Sequence, residues 1–173
     1  MVDPGYPSKP EQVRVLGGVK EGLLSLRSAG FKLVIVTNQS GIGRGFFTET
    51  DFLAVQARLE TLLGKGLIAA TYFCPDHPER ASDRRKPAAG MLFEAAQNLD
   101  LSLGHSFMIG DKASDMEAGL SAGVKASVWI TEAKETRFAD RDDVLIAPDF
   151  KAAVELILGS AEPRRGVALG API

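Results

Sequence analysis

The chain has 173 residues, 45% of them hydrophobic and 24% charged, a composition that suits one domain with an apolar core and excludes a multidomain enzyme or a largely disordered segment. Twenty Lys+Arg against 22 Asp+Glu give a net charge of -2, which excludes a broad electrostatic grip on nucleic acid or anionic membrane, so any bound anion is expected to be held locally. One cysteine and two histidines exclude an internal disulfide and a His-rich metal site, and no apolar run approaches the roughly 20 residues of a membrane span.

A monomeric cytoplasmic protein with neither nucleic-acid nor membrane partners is therefore expected. After prolines at 4, 7 and 10, apolar Val19, Leu23, Leu24 and Leu26 predict a helix over 18–29, stopped by Gly30. The β-branched run 32–36 predicts a strand buried on both faces, and 37–45 (TNQSGIGRG) a loop. Thr48 is placed to cap a helix running to Leu63, with Phe52, Val55, Leu59, Leu62 and Leu63 inward and Gly64 and Gly66 closing it.

Residues 68–73 predict a second strand, 74–89 a charged loop, 91–99 a helix, and 107–109 a short third strand. A helix over 114–122 stopped by Gly123, a strand over 126–130, a weak strand over 144–146 and a helix over 150–158 complete the series. Alternation of this kind predicts an α/β fold: a mostly parallel sheet with helices on both faces, and ligands outside the carboxyl ends of the strands. The domain is expected to span 1–158, and 159–173, which lacks periodicity, to be a flexible tail.

Three polar loops carry chemistry. Thr37, Asn38, Gln39 and Ser40 bring hydroxyls and amides to a strand end, a set suited to an oxyanion but also found in ordinary strand-to-helix connections. Arg84, Arg85 and Lys86 precede Pro87, as either a solvated basic surface or a phosphate site in which a lysine and a helix N-terminus act together. Asp111 and Asp115 stand at a strand tip and just inside a helix, where carboxylates either contribute to a hard divalent cation or cap the helix.

In this order, on these strand ends, the three loops resemble the second, third and fourth signature motifs of the haloacid dehalogenase superfamily of phosphohydrolases. The strings VTNQSGIGRG, CPDHP, RKPAAGML and MIGDKASDMEAG are similar to its branch of heptose bisphosphate and histidinol-phosphate phosphatases, over about 2–130. The resemblance implies a Rossmann-like sheet without a large cap and an Mg²⁺-dependent phosphatase. Its substrate would be a small phosphorylated sugar, a heptose 1,7-bisphosphate ahead of histidinol phosphate; a non-catalytic phosphosugar-binding remnant is the alternative.

It makes Thr37 and Lys86 the groups that stabilise the transferring phosphoryl oxygens. Asn38, Gln39, Ser40, Arg85 and Lys112 become substrate contacts, as do Asp3, Pro4, Gly5 and Tyr6, while Asp111 binds Mg²⁺ and Asp115 supports it. Two departures follow. The superfamily's nucleophile and acid/base aspartates, a DxD segment on the tip of the first and central strand, precede the position matching Val2 and have no counterpart.

That central strand is therefore expected to be missing, its two neighbours left with unpaired rows, and residues 1–173 inactive. Met1 is then expected to be an internal residue or a mis-assigned start. The relatives' zinc loop, C-x-H…C-x-C, is matched by Cys74, Asp76, Ser82 and Arg84, with His77 nearby, so zinc is not expected.

Overall fold

The computed structural model describes residues 9–131, 137, 138, 140–160 and 165–170. Six parallel strands, β1 (Phe31–Asn38), β2 (Ala70–Cys74), β3 (Phe107–Gly110), β4 (Ala126–Ile130), β5 (Val144–Ala147) and β6 (Arg165–Gly170), form one sheet in the order β2-β1-β6-β3-β4-β5. The helices are α1 (Val19–Ser28), α2 (Ser40–Gly43), α3 (Glu49–Leu63), α4 (Gly90–Leu99), α5 (Ala113–Ala122) and α6 (Phe150–Ser160). Short 3₁₀ turns lie at Pro10–Gln12, Pro78–Arg80 and Leu103–His105.

The two-residue period of a strand explains the two cores. On one face Leu33, Ile109 and Val128 pack with Leu23 and Leu26 of α1, Leu63 of α3, and Val154 and Ile157 of α6. On the other, Val34, Val36 and Met108 meet Met91, Leu92 and Ala95 of α4 and Ala118 and Ala122 of α5. Steps from β1 to β2 and from β5 to β6 run one way along the sheet over the first face. Those from β2 to β3 and β3 to β4 run the other way over the second, so these four crossovers keep one hand.

Local signals act where the sequence places them. Thr48 caps α3 through a reciprocal box, the Asp51 N–H donating to Thr48 Oγ1 (3.2 Å) and the Thr48 N–H to Asp51 Oδ2 (2.8 Å). Gly123 ends α5 at φ 71°, a left-handed position that favours glycine. Some bounds differ: β1 extends through Thr37 and Asn38 because it pairs with β2 as far as Cys74, and a one-turn helix, α2, follows within the expected loop.

The carboxyl-terminal segment differs most. Gly159 and Ser160 belong to α6, and Arg165–Gly170, expected to be part of a tail, form a strand in the middle of the sheet. Phe31–Val36 of β1 pair with Arg165–Gly170, and Phe107–Ile109 of β3 with Val167–Leu169, so the rows expected to be unpaired are paired. The demand of two buried strands for a common partner outweighs the weak strand propensity of a glycine-rich segment.

Candidate functional site

The site forms where the carboxyl ends of β1, β3 and β6 converge with the loop before α4 and the first turn of α5. Lys86 reaches in from that loop, its side chain 7% exposed. Its ammonium donates to the Val36 carbonyl (2.7 Å) and pairs with Asp115 Oδ1 (2.7 Å), which leaves one of its three N–H groups for an incoming anion.

Asp115 is buried at 2% exposure, against the two glycines that end β3 and β6. A Cβ on Gly110 would stand 2.3 Å from Asp115 Oδ2, and one on Gly170 2.9 Å from its Cγ. Its second oxygen accepts from the Lys112 N–H (3.2 Å), so the carboxylate both caps α5 and holds Lys86. The two readings of the Asp111–Asp115 pair therefore divide: Asp115 caps and pairs, whereas Asp111, just past β3, is exposed.

Thr37 is buried at the end of β1, and its Oγ1 accepts from Gln39 Nε2 (3.0 Å), leaving the hydroxyl proton free to be donated. Asn38 clamps the lysine loop, accepting from the Lys86 N–H (3.0 Å) and donating to the Lys86 carbonyl (2.9 Å). The Gln39 N–H donates to the Cys74 carbonyl (2.7 Å) and the Gly43 N–H to that of Pro75 (2.9 Å), tying the first polar loop to the segment after β2. Ser40 is buried at the start of α2.

Arg85 is half-buried and donates to the Asp76 carbonyl (3.1 Å), while Lys112 is exposed beside Asp111. Asp3, Pro4, Gly5 and Tyr6 lie outside the described residues. α4 begins at Gly90, within one residue of the expected start at 91, and Pro87 lies before it in a turn closed by the Ala88 N–H on the Arg85 carbonyl (2.9 Å). Two contributors escaped the sequence reading. Trp129, a lone aromatic on β4, donates Nε1–H to the Asp111 carbonyl (3.1 Å), and Gly170 lies in a segment without periodicity.

Around Cys74, burial pushes the thiol's pKa up, and hydrogen bonds from Ser82 Oγ (2.6 Å) and the Ser82 N–H (2.8 Å) hold the Asp76 carboxyl below its usual range. Among the described residues no three His, Cys, Asp or Glu side chains gather where they could hold a metal ion. Zinc, which needs such a set, does not fit; Mg²⁺, which takes one or two carboxylates and completes its shell with water and phosphate oxygens, fits Asp111. A cavity of about 330 Å³ lies on the α1–α6 face, lined by Leu23, Ile35, Leu59, Ile109 and Phe150 and reaching Asp111 and Gly170. Its lining is mainly apolar, with Arg14, Asp111 and Asp149 the charged exceptions.

No helix among the described residues is long and apolar enough to cross a membrane. Residues 83–153 match the model of the HAD-hydrolase-like family. The chain is 37% identical over 159 residues to the D-glycero-beta-D-manno-heptose-1,7-bisphosphate 7-phosphatase of Helicobacter pylori (strain 26695), covering 90% of each. It is 33% identical over 168 residues to the enzyme of that name from Escherichia coli K12, covering 92% of this chain and 83% of that one.

Its fold superimposes with a TM-score of 0.80 on the D,D-heptose 1,7-bisphosphate phosphatase of B. bronchiseptica complexed with magnesium and phosphate, at 24% identity and 93% coverage of both chains. A putative HAD-like phosphatase from Mesorhizobium loti gives a TM-score of 0.73 at 31% identity, covering 90% of this chain and 81% of that one. With the motif order, the parallel sheet and the extent of these matches in agreement, the chain belongs to the HAD-like phosphatases, among relatives of the heptose 1,7-bisphosphate 7-phosphatases.

Proposed function

We propose that the site binds the 7-phosphate of D-glycero-D-manno-heptose 1,7-bisphosphate for Mg²⁺-dependent hydrolysis. The observation that carries this reading is the buried Lys86, held with one N–H to spare by Asp115 and by the carbonyl of Val36, the residue before Thr37 on β1. Phosphoryl transfer consists mostly of positioning and charge stabilisation, and the Lys86 ammonium and Thr37 hydroxyl suit the equatorial oxygens. Lys112 and Arg85 supply further positive charge at the rim, and Asn38 fixes the backbone of Lys86. Asp111 would hold Mg²⁺, which when bound offsets charge on the phosphate.

Hydrolysis also needs a nucleophile. The central strand of the described sheet ends in Gly170, which carries no side chain to attack phosphorus, so on this reading the described residues supply the phosphate cradle without the nucleophile, and residues 1–173 are expected to bind the sugar phosphate without turning it over. The test sets calorimetric binding beside phosphate release in Mg²⁺ buffer for heptose 1,7-bisphosphate, histidinol phosphate and a hexose monophosphate. The expected result is saturable binding that favours the heptose, lost in Lys86→Ala, with release at the blank rate. Release above the blank overturns the inactivity, and binding that favours histidinol phosphate overturns the substrate.

A further inference from the structure

The strand at the centre of the sheet is the one least suited to that place. Central strands of parallel sheets are normally runs of branched apolar residues, and glycine inside a strand weakens it. β6 has Gly166, Ala168 and Gly170 at alternate positions, whereas its partner β1 reads Leu33-Val34-Ile35-Val36, all buried. Among the described residues no other strand joins the β2–β1 pair to the β3–β4–β5 group.

β6 also reaches the site. Its backbone at Gly170 lies close enough to Asp115 that a Cβ there would come within 2.9 Å of both Cγ and Oδ1, and Oδ1 is the atom that pairs with Lys86. The strands it joins carry the other site groups at their ends, Thr37 and Asn38 on β1 and Asp111 just past β3.

We propose that β6 is a latch, a central strand of low strand propensity whose docking between β1 and β3 is coupled to anion binding at Lys86. Docked, it backs Asp115 and sets the spacing between the Thr37 and Asp111 sides of the site; undocked, β1 and β3 lose their common partner and that spacing. Anion bound across both sides therefore stabilises docking, and by linkage docking raises anion affinity by the same factor. The proposal rests on reading Thr37 and Lys86 as a phosphate site.

Hydrogen exchange of the full chain, with and without saturating inorganic phosphate, tests it, with phosphate binding followed separately by calorimetry. The amides of 166–170 are expected to exchange faster than those of 33–36 and 107–109, and to slow about tenfold when phosphate binds, within the usual range of coupling between sites. Phosphate that binds without changing exchange at 166–170, or β6 amides as protected as their neighbours, overturns the latch and leaves the site reading intact. Absence of phosphate binding overturns both.

Gly170→Val, which drives a side chain onto Asp115, is expected to raise exchange at 166–170 and weaken phosphate binding together. Gly159→Ala, with nothing within 4 Å of its added Cβ, is expected to change neither. Weakened binding in Gly170→Val without faster exchange would make the effect purely local and refute the latch.

Discussion

Lys86 and Asp115 are both almost wholly buried and lie 2.7 Å apart, so each makes the other's burial tolerable. Removing either charge strands its partner. Lys86→Met and Asp115→Asn are each expected to cost about 3–5 kcal/mol, and the double variant less than the sum, as urea unfolding would show. Ser82 gives a pH test. Because its hydrogen bonds lower the folded pKa of Asp76, the contribution is present above about pH 4 and lost as pH falls through the folded value. Ser82→Ala should therefore be less stable than the wild type at neutral pH and converge with it in strong acid; a constant difference across both would contradict this.

At the scale of elements, the site depends on how closely α2 approaches the loop after β2. A Cβ on Gly43 would lie 2.5 Å from the Pro75 carbonyl oxygen and 2.6 Å from the His77 nitrogen, both backbone atoms that cannot swing aside. Gly43→Ala is expected to lower stability by about 1–3 kcal/mol in thermal unfolding, through overpacking of the loop that carries Gln39 and Ser40. Most elements were legible because their signals are local: β-branched runs for β1 and β4, and a capping box with closing glycines for α3. α2 was not, since four residues rich in glycine show no period, and its place is set by the Gly43–Pro75 bond from outside the segment.

In the whole molecule, Thr37, Lys86, Asp111 and Gly170 meet only because the order β2-β1-β6-β3-β4-β5 brings three strand ends together. The motif residues were legible as types and spacings, and the roles proposed for them come from likeness to a family. The part played by β6 was hidden, because what calls a glycine-rich segment into the sheet is the pair of open backbone rows on β1 and β3, far away in sequence. The same convergence makes the central claim, a phosphate held between Thr37 and Lys86, testable with one side chain. Calorimetric titration of heptose 1,7-bisphosphate in Mg²⁺ buffer into wild type and Thr37→Val compares proteins that differ at the site by one hydroxyl donor. A hydrogen bond to a charged group contributes about 1.5–3 kcal/mol, so affinity is expected to fall by about 10- to 100-fold, and thermal unfolding to shift down because the buried Gln39 amide loses its acceptor; equal affinity in the two folded proteins would contradict the account.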